Sequence, residues 1–268
     1  MLKKVSLNIS VIIVYLLEEQ PFFMDFFKEE FKAENLLEGQ IFLIDKPLGW
    51  TSFQVVNKIR WHLKNKTGLK KLKVGHAGTL DPLATGLLVI CTGMKTKKIN
   101  DFQLDEKTYV GNLILGSTTP SYDQETKIDA TFPTQHISED LINKAVKSLS
   151  GKILQIPPLY SALKKDGNRL YELARAGKKI IMKPRQVIVS KFEIKRKGLK
   201  INFLIKCSKG TYIRSLVHDF GKKLDSGAHL TSLRRIQSGV QLVENAYTMD
   251  SVINVNSKKN IKSIKSIL

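Results

Sequence analysis

Two hydrophobic rhythms run along this chain. Ile41-Phe42-Leu43-Ile44 is a continuous apolar run closed by Pro47 and Gly49, and it predicts a short buried strand. Directly after it, Thr51 or Ser52 can cap a helix in which Phe53, Val56, Ile59 and Leu63 recur at helical spacing. Residues 87–91 and 109–115 read as two further strands. Ser138 can open a second helix that ends near Gly151, with Leu141, Ala145 and Leu149 on one face. Residues 187–194 and 199–205 predict a strand pair, followed by a helix from about 212 to 224. No regular strand–helix–strand beat appears. The expected class is therefore α+β, with a mixed, largely antiparallel central sheet flanked by helices and loops.

Composition sharpens this picture through charge. The 268 residues are 42% apolar, enough for a real core, and carry 44 Lys and Arg against 24 Asp and Glu, a formal charge of +20. A polyanionic partner is the simplest physical reason for such an excess. The excess is also localised: residues 1–40 hold four Lys against seven acids, while residues 164–200 hold 13 Lys and Arg against three acids. Four Lys and no acid follow Asp250. The two cysteines, Cys91 and Cys207, form no C-x-x-C pair, which fits a reducing, cytoplasmic setting. The five histidines show no metal spacing, so no metal and no cofactor are expected. Lys3 and Lys4 before the apolar run 11–17 imitate a signal peptide, but the run is too short to span a bilayer and Glu18 and Glu19 follow at once. Residues 1–36 are read as a dispensable extension, with Met24 as an alternative start.

The densest segment is Gly75-His76-Ala77-Gly78-Thr79-Leu80-Asp81-Pro82-Leu83-Ala84-Thr85-Gly86. Three glycines and a proline in twelve residues mean an irregular loop, able to bring backbone close to a ligand and to hold one carboxylate, Asp81, in place. It is no phosphate-binding P-loop, and the chain has no G-x-G-x-x-G. Ser161-Ala162-Leu163-Lys164 and Lys66-Thr67-Gly68 imitate two acyl-transferase motifs, but they stand in the wrong order and no S-D-N accompanies them.

Segment 75–86 closely resembles the catalytic loop of the TruB-type pseudouridine synthases, the tRNA pseudouridine-55 synthases. Further blocks agree in order. Residues 43–52 (Leu-Ile-Asp-Lys-Pro-Leu-Gly-Trp-Thr-Ser) resemble the family's opening strand and turn, and Lys107-Thr108-Tyr109 its K-x-Y motif. Leu115-Gly116 to Asp123 resembles its Gly/Thr/Asp loop, and residues 155–162 with Lys164, Gly167, Tyr171, Ala174 and Arg175 its next block. Residues 207–214, ending Gly-Thr-Tyr-Ile-Arg, and residues 227–235, ending Leu233-Arg234-Arg235, close the set, which covers about residues 40–240. Ser121 and Thr126 depart from the family's usual Thr and Gly, a difference that bears on loop shape more than on chemistry.

The resemblance implies isomerisation of uridine to pseudouridine in the T-loop of tRNA, with the target base flipped out of its arm. It implies Asp81 as the catalytic carboxylate, Arg214 as the guanidinium that keeps it ionised, and Tyr109 as the ring that stacks on the base and removes the C5 proton. Tyr212 is implied as a second wall and His76 as the group filling the space the base vacates. Gly78, Thr79, Leu80, Lys107, Lys164 and Arg175 complete the implied substrate-binding set. The implied partner is the T-arm stem-loop of tRNA, met by a monomer with no obligate protein partner and no membrane. An alternative within reach of the same residues is a tRNA-binding or folding module with secondary or lost catalysis. The catalytic domain is expected over residues 37–245. Residues 246–268 are then a short basic tail in place of the RNA-binding PUA domain that bacterial members commonly carry.

Overall fold

In the computed structural model, residues 32–253 are described, apart from 162, 166, 178, 179 and 181. The expected signal-like run and the last fifteen residues lie outside the described part. After helix α1 (Ala33–Glu38) the apolar run forms β1 (Ile41–Lys46), and α2 (Ser52–Thr67) follows. Thr51 starts α2 with a complete capping box: its hydroxyl accepts from Gln54 N at 3.1 Å, and the Gln54 side chain accepts from Thr51 N at 2.7 Å. The buried stripe of α2 is Ser52, Val55, Val56, Ile59, His62 and Leu63. Phe53, expected inside, is 65% exposed. It lies about a third of a turn away from the Ile59 direction, which the packed neighbours Val55 and His62 define.

β2 (Val74–Ala77) and β3 (Ala84–Thr92) flank the glycine-rich loop, and α3 (Ile99–Leu104) leads into β4 (Lys107–Leu115). A small hairpin of β5 (Ser117–Thr118) and β6 (Ala130–Thr131) precedes α4 (Glu139–Ser148) and β7 (Gly151–Gln155). The short pair β8 (Lys164–Lys165) and β9 (Asn168–Arg169) leads to α5 (Leu170–Arg175). Then come β10 (Arg185–Lys197), β11 (Lys200–Cys207), α6 (Ile213–Lys223), β12 (Ala228–Ser238), β13 (Gln241–Leu242), β14 (Tyr247–Thr248) and α7 (Met249–Ile253).

Ten strands form one sheet in the order β14-β1-β3-β12-β4-β11-β10-β7, with β2 added to β3 and β13 to β12. Only the β1–β14 and β3–β12 pairs are parallel, so the α+β, largely antiparallel expectation holds. Both faces of β1 and β3 are buried. Phe42, Ile44, Leu88 and Ile90 pack under α2 and α7, while Ile41, Leu43, Leu87 and Val89 face the other way. The period of two of a strand divides each apolar run between two cores. A third core joins β4, β11 and β12 to α4 and α6 through Leu113, Ile142, Ile201, Leu216 and Phe220.

The fold reaches beyond both expected edges of the domain. Leu36, inside the stretch read as a dispensable extension, is fully buried under the first core. β14 pairs with β1, and Met249 and Val252 of α7 are buried in the same core, so residues 246–253 belong to the sheet domain rather than to a tail.

Candidate active site

The loop between β2 and β3 carries Asp81 and is fixed by its neighbours. Ser52 at the start of α2 holds Leu80 from both sides: its hydroxyl accepts from Leu80 N at 2.9 Å and donates to Leu80 O at 3.1 Å. Ala84 N donates to Asp81 O at 3.0 Å, and Gly49 N to Pro82 O at 2.9 Å. Lys46, fully buried, donates to Trp50 O at 2.6 Å and Pro47 O at 3.0 Å and reaches Pro82 O at 3.4 Å. Burial lowers its pKa to about 8, with the Asp81 charge opposing. A carbonyl-lined ammonium thus ties the opening turn to the Asp81 loop.

Arg214 arrives from the first turn of α6, on the helix face that packs into the core. Its Nε donates to Asp81 Oδ2 at 2.8 Å, its Nη1 to Ser121 O at 3.1 Å and its Nη2 to Tyr160 O at 2.8 Å. Asp123 Oδ2 stands 3.6 Å from the same Nε, so one guanidinium serves two carboxylates. Arg214 is 3% exposed, whereas the Asp81 side chain keeps 38% of its surface open. Burial pushes the Asp81 carboxyl above the usual carboxylate range, and the Arg214 charge is the largest force pulling it back. Asp123, the second acid, adds to the rise.

Ser121 and Thr126, the two departures from the family pattern, bond to each other. Their hydroxyl oxygens are 2.8 Å apart, Ser121 N donates to Thr126 Oγ1 at 3.0 Å, and Thr126 N donates to Ser121 Oγ at 3.2 Å. This closed loop presents the Ser121 carbonyl to Arg214, so the two changes compensate within one turn.

A cavity of about 580 Å³ opens over the Asp81–Arg214 pair. Of the expected residues, Gly78, Thr79, Leu80, Asp81, Lys107, Tyr109, Tyr212 and Arg214 line it. Tyr109 projects from β4 with 9% exposure, and burial raises its phenol pKa. Tyr212 caps α6, and Gln155 of β7 holds its backbone at both polar atoms, at 2.8 and 3.1 Å. Lys107 borders the cavity but turns its ammonium to the carbonyls of Phe102 at 3.0 Å, Gln103 at 2.9 Å and Asp105 at 2.5 Å, so it seals the end of α3. His76 stands on β2 outside the lining, with a buried Nδ1 that has no hydrogen-bond partner; burial and the Arg235 charge lower its pKa. Lys164 is on β8 and Arg175 ends α5. Asp123 and Arg235 were not singled out by sequence. Their signal was membership of the Gly/Thr/Asp loop and of the closing Leu-Arg-Arg block. Among the described residues no cluster of three or more His, Cys, Asp or Glu side chains is placed to hold a metal ion. No described helix is long and apolar enough to cross a membrane.

An Asp–Arg pair beneath a wide cavity walled by tyrosines, in a strongly basic chain, is an arrangement suited to carboxylate chemistry on a polyanion. Comparison with known proteins gives the family. The family model of the TruB pseudouridylate synthase N-terminal domain matches residues 64–213, and that of the tRNA pseudouridylate synthase B C-terminal domain matches residues 214–267. The chain is 60% identical over 215 residues to tRNA pseudouridine synthase B of Flavobacterium johnsoniae, covering 80% of this chain and 94% of that one. It is 51% identical over 218 residues to the protein of the same name from Phocaeicola vulgatus, covering 81% and 93%. Among solved structures it resembles a chain of a Cbf5–Nop10–Gar1 complex, with a TM-score of 0.60 and 30% identity; the match covers 82% of this chain and 55% of that one. A second match, to an H/ACA RNP bound to a substrate RNA containing 2'-deoxyuridine, has a TM-score of 0.58 and 27% identity, covering 81% and 53%. The chain belongs to the TruB family of pseudouridylate synthases, enzymes that isomerise uridine to pseudouridine. The two family models meet at residue 213/214, inside α6, while β12 from the second half is the central strand of the sheet built by the first.

Proposed function

We propose that this protein isomerises uridine to pseudouridine in the T-loop of tRNA, with Asp81 as the catalytic carboxylate. The observation that carries the reading is the 2.8 Å Asp81–Arg214 pair at the floor of the cavity. A uridine in a folded arm reaches such a floor only when it is flipped out, which costs a few kcal/mol. Phosphate contacts from the basic body supply the compensating binding energy. Asp81 then acts on the ribose or the base while Arg214 holds it in the charged form. The glycosidic C–N bond breaks, the uracil turns between Tyr109 and Tyr212, and C5 joins the ribose carbon. One proton leaves C5, to Tyr109, and one is gained at the freed N1, so the reaction is proton-neutral and uses no redox partner.

Two features support tRNA as the substrate: the name shared by the bacterial relatives and the +20 charge of the chain. The T-arm assignment rests on the resemblance of the catalytic loop. Incubation with unmodified tRNA, and separately with an isolated T-arm stem-loop, followed by chemical mapping of pseudouridine, tests both. The expected result is one modified uridine, in the loop, in both substrates. Modification elsewhere, or of the full tRNA alone, would overturn the T-arm reading.

A further inference from the structure

The central strand contributes a second arginine whose setting differs from that of Arg214. Arg235 is 1% exposed, and among the described residues no carboxylate stands within ion-pair distance of it. Burying a cation without a counter-ion costs stability, so its hydrogen bonds show where it acts. Nε donates to Leu87 O at 2.7 Å and Nη2 donates to Gly78 O at 3.0 Å, and the charge acts on Tyr109 of the neighbouring strand. The strand register agrees: Arg235 on β12 lies opposite Tyr109 on β4 and opposite Gly86 on β3.

The glycines at the two ends of the catalytic loop are packed against this same residue. A Cβ on Gly86 would stand 2.2 Å from the Arg235 carbonyl oxygen, and a Cβ on Gly78 would stand 3.2 Å from its Nη1. Asp81 lies between them. One residue therefore touches the entrance and the exit of the loop that carries the carboxylate, and the tyrosine across the cavity.

We propose that Arg235 is a positioning residue: it pins both ends of the Asp81 loop to β12 and sets its cation beside Tyr109 on the neighbouring strand. The inference rests on the reading of Tyr109 as the group that takes the C5 proton. A neutral phenol is a poor base, and the surroundings of Tyr109 mostly favour the neutral form. Burial is the largest such influence; Cys207 on β11 and Asp81 in the loop act in the same direction. Arg235, opposite Tyr109 in the strand register, opposes them by its charge. In the step itself the phenolate takes the proton from C5 and becomes a phenol, the C5–H electron pair returns to the ring, and N1, freed from the ribose, takes a proton from solvent.

The test is single-turnover pseudouridine formation between about pH 6 and pH 10, with RNA affinity measured separately, for Arg235→Met, Arg235→Lys, Tyr109→Phe and the double variant R235M/Y109F. Arg235→Met is expected to slow turnover at neutral pH by at least about tenfold while affinity stays within about threefold. Because loss of the cation raises the Tyr109 pKa, the rising limb of the profile moves to higher pH. Arg235→Lys keeps the charge, so it retains the limb near its original place while the rate falls. Added to Tyr109→Phe, Arg235→Met should cause less loss than it does alone. Where Arg235→Met does not fold, Arg235→Lys decides, and a wild-type rate in that variant would overturn the proposal. A lower melting temperature with unchanged rate and limb would reduce Arg235 to a packing residue. A Tyr109→Phe enzyme near wild-type rate would instead remove the Tyr109 reading, and the proposal with it.

Discussion

In the proposed reaction Asp81 acts in its charged form, yet burial disfavours that charge, and a guanidinium 2.8 Å away opposes the effect. Asp81→Asn keeps size and most hydrogen bonding but removes the charge. No detectable pseudouridine is expected, with RNA affinity changed by less than about tenfold because phosphate contacts carry most of it. Mapping and filter binding on one preparation check this, and turnover near wild type would dismiss Asp81. The pH dependence follows from the direction of the shift. A raised carboxylate pKa means that the active, ionised form is lost as pH falls, at a higher pH than for an ordinary aspartate. Arg214→Gln removes the largest force lowering that pKa, so the acid limb of its residual activity should move upward; a limb at lower pH would contradict the coupling. Arg214→Lys keeps one charge but cannot reach Asp81, Ser121 and Tyr160 at once, and a fall in turnover of about a hundredfold or more is expected. Asp81, Tyr109 and Arg214 stand out in the sequence because each sits in a dense local motif, and the structure brings all three to one cavity. Arg235 was not assigned a role, because its partners Gly78, Leu87 and Tyr109 are more than a hundred positions away and only the sheet brings them together.

Elements whose partners are nearby in sequence could be read directly. The capping box of α2, the Ser138 cap of α4 and the β10–β11 pair rest on local chemistry, and the structure holds all three close to their expected bounds. β12 is the informative failure. Thr231, Ser232, Arg234, Arg235 and Gln237 interrupt its apolar pattern, so the hydrophobic rhythm predicts no strand there although β12 lies in the middle of the sheet. Its charges are met by distant groups: Arg234 holds both oxygens of Asp45, at 2.9 and 2.6 Å. Local and long-range elements should respond differently to substitution. Thr51→Ala removes one cap and is expected to cost about 1 kcal/mol, or roughly 2–4 °C in melting temperature, with activity retained. Gly86→Ala puts a methyl group against the Arg235 backbone at φ +102 and should cost at least about 2 kcal/mol and most of the turnover. A Gly86→Ala protein with wild-type melting and rate would show that the β3–β12 contact is not tight.

On the scale of the whole molecule, a buried core and a dispersed charge do separate work. The core extends to Leu36 on one side and Val252 on the other, so its limits differ from those of the motif-bearing stretch. Leu36→Ala is expected to cost about 2–5 kcal/mol, whereas a chain started at Met24 retains α1 and should match the full chain in melting temperature and activity. The charge acts at longer range. Residues 257–268 contain Lys258, Lys259, Lys262 and Lys265 and no acid, in a chain whose formal charge is +20. Each phosphate they neutralise adds about 0.7–0.9 to the slope of log affinity against log salt, so removal of all four should flatten that slope by up to about 3.6. Affinity should fall at low salt and approach that of the full chain as salt rises, because screening already cancels the same term there. Such contacts carry no sequence information, and the described residues that line the cavity holding Asp81 all precede 236, so the modified uridine should stay the same. Affinity titrations at four or five salt concentrations, paired with pseudouridine mapping, measure both effects. A deletion that redirects modification to another uridine would show that residues 257–268 read the substrate rather than merely attract it.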